Sequence, residues 1–415
     1  MRRTLSIALV SLASLDDDSV HAIHVRELAR SLARPADGEE HTVHVYGRRQ
    51  NTTARGRTRI APGATLHMLE AGPADRLREE DQLAVLGEFT DALRRRWSGA
   101  HRPDVVHAHG WIGGLAACAV ARELGIPFVQ SYHGLAAGER RLGREVHPAR
   151  MRLETAVGRG ADAVIAAHTG EANALARMGV PRNTIAVRPY GVDGEQFTQI
   201  GPAMPRSDRP RLVTVARDLE DGGVATAIRA LVHVPEAELA IAGGPAREEL
   251  ENDPAVHRLT LLAKELHVAD RVIFLGRVQR KALPKLYRTA RLTLCLAPAQ
   301  PAPMVALESM ACGVPVMSTA VGHNADSVLD GITGMHVPAG RPVQIGRAIR
   351  RLLAEETTLS SWAIAAADRA HSRYSWTRVA NETLRSYDKI LPVVEEEPVA
   401  LSREDEEELL EALAS

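Results

Sequence analysis

The sequence predicts an α/β protein made of two doubly wound domains that face each other across a cleft. Three observations carry this. Short apolar runs alternate with amphipathic helical spacings, the pattern of parallel strands covered by helices on both faces. The alternation stops at a stretch rich in Pro, Gly and charge over 200–210 (IGPAMPRSDRP) and then restarts. The 415 residues exceed one ordinary domain, and 45% hydrophobic with 25% charged side chains describes a globular chain with ample core.

The first half opens with an apolar strand over 6–11. That run is short, and Asp16, Asp17 and Asp18 stand where a secretory cleavage site needs small residues, so a buried first strand is read and a cytoplasmic protein expected. A helix over 22–33 keeps its apolar residues on one face, and a strand follows over 41–46. Helix 83–97, strand 104–108, helix 112–124, strand 127–131, helix 150–159, strand 163–167 and helix 169–177 complete this half. Beyond the linker come strand 211–215, helix 224–232, strand 237–242, helix 254–267 and strand 272–275. Helix 281–290, strand 292–296, helix 305–312 and strand 315–319 follow. A last helix runs from Trp376 to about residue 390, and the acidic stretch after it reads as a solvated appendage. The chain divides accordingly into 1–198, 199–372, a C-terminal helix over 373–392 that returns to the first domain, and an acidic tail over 393–415.

The composition excludes several classes. Formal net charge is −1, from 51 basic and 52 acidic residues, which gives no overall field for nucleic acid or anionic lipid. No apolar run approaches the roughly 18 residues of a membrane span. Cys118, Cys295 and Cys312 lie far apart without metal-ligand spacing, so no disulfide framework and no metal site are expected. The only lysines are Lys264, Lys281, Lys285 and Lys389, so no lysine stands in the first 263 residues.

The chemistry concentrates in 297–319 (APAQPAPMVALESMACGVPVMST). A strand ends in a Pro-rich loop, a helix opens with free N–H groups, Glu308 lies one turn inside, and Gly313 stops the helix. Unpaired amides and the helix dipole make such an end an anion site. Elsewhere, His21 and His24 stand at helical spacing after the three aspartates, a weak metal-like pair. His107 and His109 share one face if their strand persists, with His109 placed better to reach a cleft. Arg150 and Glu154 form an i,i+4 pair, either an exposed ion pair or part of a binding site.

These segments resemble the family 4 glycosyltransferases of the GT-B fold, whose loop and helix read E-P-F-G-x-x-x-L-E-A-M-A-C-G-x-P-V. Further matches are VGHN over 321–324, DGITGMHVP over 330–338, LGRV over 275–278, AGGP over 242–245, YGVD over 190–193, HAH over 107–109, QSYHG over 130–134 and YSW over 374–376. The resemblance extends in particular to actinobacterial enzymes of the mycothiol-pathway type. The resemblance implies two Rossmann-like domains, the first binding an acceptor and the second a nucleoside-diphosphate sugar, with no cofactor. It implies that Glu308 holds the ribose, that the segment at Arg277 frames the base, and that Arg217 contacts the phosphates with the amides of Gly222 and Gly223. Ser19, Gln300, Met304 and Val305 complete the implied donor site. His133 would act at the cleft as a catalytic or acceptor-positioning group, and His109 and Arg150 would hold the acceptor.

The departures from the family pattern cluster. The first Glu of E-x7-E is Gln300, the Phe-Gly after it is Ala302-Pro303, the lysine of R-L-x-x-x-K-G is Gly222, and a Gly-Gly of the first loop is Ser19-Val20. Positions that would read the nucleotide are kept, and those near the transferred sugar are changed. One charged transition-state contact is worth roughly 3 kcal/mol, so the expected enzyme is specialised. It moves an unusual sugar, from a GDP-linked donor, to a small molecule. The expected nucleophile is a thiol or thione such as ergothioneine, in antibiotic-type biosynthesis, because sulfur needs little activation. The alternatives are an ordinary retaining hexosyltransferase acting on a sugar or polyol, and a pseudo-glycosyltransferase that senses nucleotide or acts as a scaffold. An oligomer is compatible with all of them.

Overall fold

The structure, a computed structural model, describes residues 4–35, 38, 40–53, 55–299 and 303–392. Its first sheet has eight strands: β1 (Ser6–Ser11), β2 (Thr42–Arg48), β3 (Arg57–Ala61), β4 (Ala64–Leu69), β5 (Val105–His109), β6 (Phe128–Ser131), β7 (Ala163–Ala166) and β8 (Ile185–Val187). They lie in the order β3-β4-β2-β1-β5-β6-β7-β8, and only the β3–β4 pair is antiparallel. β1 is apolar from Ile7 to Val10 because both faces are covered. Ile7 and Leu9 pack with Leu28 and Leu32 of α1 (Val20–Ala33). Ala8 and Val10 point the other way, to Phe89, Leu93 and Trp97 of α2 (Leu86–Trp97). Helices α3 (Trp111–Leu124), α4 (Ala136–Arg141), α5 (Arg150–Gly160) and α6 (Thr169–Arg177) complete this half.

The second sheet takes up β9 (Arg211–Ala216), β10 (Glu238–Gly243), β11 (Val272–Gly276), β12 (Ala290–Cys295), β13 (Val316–Thr319) and β14 (Gly334–Val337), all parallel, in the order β11-β10-β9-β12-β13-β14. Its helices are α7 (Val224–Leu231), α8 (Pro254–Glu265), α9 (Leu283–Tyr287), α10 (Pro303–Ala311), α11 (His323–Ser327), α12 (Pro342–Ala354) and α13 (Glu356–Arg373). The strand order reverses between β1 and β5 in one sheet and between β9 and β12 in the other. Loops leaving such neighbours diverge and open a crevice at the strands' C-terminal ends. The last helix, α14 (Trp376–Asp388), packs on α1, and the Tyr387 hydroxyl lies 2.7 Å from Nδ1 of His107 in β5.

Two parallel sheets in series are the architecture expected from the alternation, with local differences. The β3–β4 hairpin has no apolar run to announce it, because Arg57, Thr58 and Arg59 face solvent on an edge strand guarded by charge. β8 and β14 are three and four residues long, too short for a periodicity. The helix expected over 281–290 is shorter: a 3-10 turn, Arg280–Ala282, leads into α9, and Ala290 already belongs to β12. The expected acidic tail over 393–415 lies outside the described residues.

Candidate functional site

The two crevices face one another and enclose a cavity of about 1010 Å³. Leu12 and Ala13 after β1, His109 and Gly110 at the end of β5, and His133 and Gly134 after β6 form one wall; Pro298 and Ala299 after β12 and Val321, Gly322 and His323 after β13 form the other.

Histidines dominate the first wall. His109 is 1% exposed, and its Nδ1 lies 2.9 Å from Nε2 of His133. Nδ1 of His133 in turn lies 2.7 Å from the Tyr190 hydroxyl, so both of its ring nitrogens are engaged. His133 also holds φ +59°, a left-handed conformation that costs a non-glycine residue energy and collects at functional sites. His107 and His109 do share a face, with rings 4.2 Å apart. His107 bonds the Tyr387 hydroxyl at 2.7 Å and Ser131 Oγ at 2.9 Å, and of the two only His109 reaches the cavity. Burial pushes the His21 imidazole down to about 4 and those of His24 and His107 to about 3, and holds His109 and His133 well below the ordinary range. At neutral pH the rings on this wall and behind it are therefore uncharged.

The metal-like pair His21 and His24 separates. Nε2 of His21 bonds Ser11 Oγ at 2.7 Å, while His24, His109 and His133 bring candidate ligand atoms within 4.8 Å of one another. Of these three, only Nδ1 of His24 and Nε2 of His109 are buried without a hydrogen-bond partner. With His133 engaged on both sides, two nitrogens remain, fewer than the three protein ligands a zinc ion keeps.

Arg150 and Glu154 are not an exposed ion pair. Glu154 is fully buried, accepts from Arg150 Nε at 2.8 Å and also takes the Ala136 amide at 3.1 Å. A second guanidinium nitrogen donates to Glu79 Oε1 at 2.8 Å and the third to Gly134 O at 3.2 Å, with the Trp111 ring 5.6 Å from the guanidinium carbon. Glu79 belongs to the charged run 78–81, and only the fold reveals its partners.

The donor-side candidates stand away from this wall. Arg217 is exposed at the end of β9. Burial pushes the Asp17 carboxyl up, but bonds from Ser19 and the charges of Arg76 and Arg217 hold it below its usual range, so Arg217 acts on the loop after β1. Ser19 caps α1, accepting from the Ala22 amide at 3.2 Å. Gly223 has φ +77° at the start of α7, and a Cβ there would stand 2.4 Å from the Leu296 carbonyl carbon. A Cβ on Gly222 would meet Ala216 Cβ at 2.4 Å. Asp221, on the same turn, bonds Arg144 of the first domain at 2.6 Å. Arg277 is exposed, with its amide donated to Pro245 O at 2.8 Å. Met304 and Val305 bury their side chains in the first turn of α10. Glu308 is 3% exposed; Arg280 reaches its Oε1 at 3.0 Å and Tyr287 its Oε2 at 3.4 Å, and burial pushes its carboxyl up to about 7. Gln300 and Ala302 lie outside the described residues. Of the candidates read from sequence, the cavity wall thus gathers His21, His109, His133 and Arg150, and adds Glu79, Trp111, Glu171, Tyr190 and His323. Tyr190 and His323 stood in matched motifs; the others had no distinguishing pattern.

Comparison with known proteins follows the division seen in the sheets. Residues 21–191 match the glycosyl transferase 4-like domain, and residues 197–369 match the glycosyl transferases group 1 family. The chain is 33% identical over 388 residues to a D-inositol 3-phosphate glycosyltransferase of Frankia alni, covering 88% of this chain and 93% of that protein. A D-inositol 3-phosphate glycosyltransferase of Xylanimonas cellulosilytica is 30% identical, covering 88% and 90%. Among solved structures, a sucrose-phosphate synthase from Thermosynechococcus elongatus has the same fold, with TM-score 0.80 at 24% identity over 93% of this chain and 99% of that one. Anabaena HepE in complex with UDP and glucose has TM-score 0.70 at 16% identity, over 93% and 100%. No described helix is long and apolar enough to cross a membrane.

Proposed function

The chain belongs to the group 1 glycosyltransferases, enzymes that use nucleotide-sugar donors, and from that premise we propose that it transfers its sugar to the sulfur of a small thiol or thione. The observation that carries this reading is the state of His133. An alcohol acceptor needs a base that takes its proton, and a base must offer a free lone pair with adequate proton affinity. His133 faces the cavity with one nitrogen on Tyr190 and the other on His109, and burial keeps its proton affinity far below that of an ordinary imidazole. A thiolate or thione attacks without such help. In this reading His133 orients the acceptor, a positioning role that its strained backbone supports.

On the donor side, Arg217 and the amides at the start of α7 take the charge of the departing diphosphate, and Glu308 takes the ribose. A divalent cation has no part in this, and turnover should persist in EDTA. Thermal shift against GDP, UDP, ADP and dTDP reads the base, with GDP the expected best stabiliser. The decisive experiment offers a GDP-sugar with matched thiol, thione and hydroxyl acceptors, and follows nucleoside diphosphate release and the anomeric signals of the product by NMR. An S-linked product supports the proposal. An exclusively O-linked product overturns it, and nucleotide binding without any release would favour a sensor or scaffold.

A further inference from the structure

We propose that Glu79 sets the charge of the acceptor: by occupying Arg150 it turns an anion-holding corner into one that takes a positively charged group, so the acceptor carries an ammonium-type cation there and no phosphate. This rests on the glycosyltransferase reading of the cavity and deepens it. The cations of the cavity wall are Arg141, Arg144 and Arg150, all arginines, in a segment of sequence without lysine. Arg150 with Glu154 is already a neutral, buried pair, and Glu79 adds an uncompensated negative charge on the cavity side, its side chain 55% exposed. Arg144 is likewise held by two carboxylates, Glu139 at 2.8 Å and Asp221 at 2.6 Å. Glu145 stands on the wall as well. With Glu171, which burial pushes up to about 7, left out, three guanidiniums (Arg141, Arg144, Arg150) and three carboxylates (Glu79, Glu139, Glu145) line the cavity, while Glu154 and Asp221, outside the lining, neutralise Arg150 and Arg144 and leave Glu79 in excess at this corner. The neutral histidines do not change that balance.

A phosphate dianion could reach Arg150 only by displacing Glu79 or by lying against it, and like charges brought together in a partly enclosed site cost several kcal/mol. A cation meets the opposite situation. Glu79 is fixed by Arg150 and by the indole N–H of Trp111, whose ring belongs to the cavity wall. The Trp111 ring itself is buried and lies near the Arg150 guanidinium, so the half-exposed Glu79 carboxylate is the group a cation would meet.

Calorimetry on the full chain saturated with GDP tests this with two probes, D-inositol 3-phosphate and tetramethylammonium. The wild type should bind the cation and not the phosphate ester. Glu79→Gln should reverse that order, gaining about tenfold or more for the phosphate ester as Arg150 is released, and Glu79→Ala should do the same. Wild-type protein that binds D-inositol 3-phosphate as tightly as either variant, or that shows no preference for the cation, overturns the proposal. The GDP titration that precedes each experiment reads the donor site alone. Its failure in the wild type would count against the glycosyltransferase reading, whereas intact GDP binding with unchanged probe preference counts against the role of Glu79. The same titration shows that each variant is folded.

Discussion

Glu308 combines two demands in one side chain, since it is buried within a helix and still carries the acceptor oxygens a ribose needs. Arg280 makes this tolerable, and the two should separate on mutation. Arg280→Ala leaves a buried carboxylate without its cation, which costs about 3–5 kcal/mol. The carboxyl is pushed up to about 7 even with Arg280 lowering it, and removing the guanidinium raises it further; at pH 6 the group is largely protonated in both proteins and the loss is small, so urea unfolding should show the larger loss at pH 8. Glu308→Ala should weaken GDP binding by roughly tenfold or more, because charge-assisted bonds are worth about 1.5–3 kcal/mol each, while Gln300→Ala should not. A Glu308→Ala protein with unchanged GDP affinity and a lowered Tm would make the residue a brace only. At His133 the measurable is a split: His133→Ala should raise KM for the sulfur acceptor more than it lowers kcat. Asparagine tolerates the left-handed backbone better than alanine, so His133→Asn should keep more stability than His133→Ala in the same unfolding assay. The family pattern singles out His133 and Arg150 from the sequence. It cannot supply Glu79, because that contact joins residues 71 apart in the chain and leaves no periodic trace.

The turn between β9 and α7 shows how an element constrains what single residues can do. Gly223 is left-handed and lies against the Leu296 backbone, so Gly223→Ala must move either the helix start or the loop after β12. Loss of GDP binding by about tenfold or more, with a destabilisation of about 1–3 kcal/mol, is expected from calorimetry and urea unfolding. Gly222 has a different lesson. The family pattern that the chain resembles has a lysine at this position, yet a side chain here meets Ala216 Cβ at 2.4 Å and Asp218 O at 2.7 Å. Gly222→Lys should therefore lower stability without raising kcat; a clear rate gain would show that the turn relaxes easily. The sequence announces the elements that bury a face, such as β1 and α1, because core contact imposes periodicity. It is silent on the arginine-bearing edge hairpin and on the shortest strands, where solvent or neighbouring strands set the pattern instead. Glycines sit at the turns of the donor side because backbone approaches backbone there, a constraint legible only once the sheets are placed.

At the scale of the whole molecule, the two domains and α14 close around a set of uncharged imidazoles, and this ties stability to pH. Unfolded histidine titrates near 6.5, whereas His21 stays neutral to about 4, His24 and His107 to about 3, and His109, His133 and His323 well below 6.5. Their folded-state values are depressed, so their contribution is fully present above about pH 6.5 and is lost as pH falls, because the unfolded chain takes up protons that the folded one refuses. Three buried carboxyls oppose this. Burial raises Glu154 and pushes Glu171 and Glu308 up to about 7, so the folded state gains their protons first as pH falls toward about 4.5. These six histidines, together with His44, His67 and His168, which burial also lowers, outweigh three carboxyls and leave a net loss across pH 6.5 to 4.5, and below 4.5 the offset ends while the histidine term continues. Tm should therefore drop between pH 7 and 5 and more steeply below it. His24→Leu removes one contributor whose Nδ1 has no hydrogen-bond partner and whose ring packs against Tyr190 and Trp376. Unfolding free energies of the two proteins should run close together at pH 7.5 and diverge below 6.5 in favour of the leucine variant, by about 1.4 kcal/mol per pH unit. Parallel curves down to pH 5 would mean that His24, behind the cavity wall, is protonated in the folded protein.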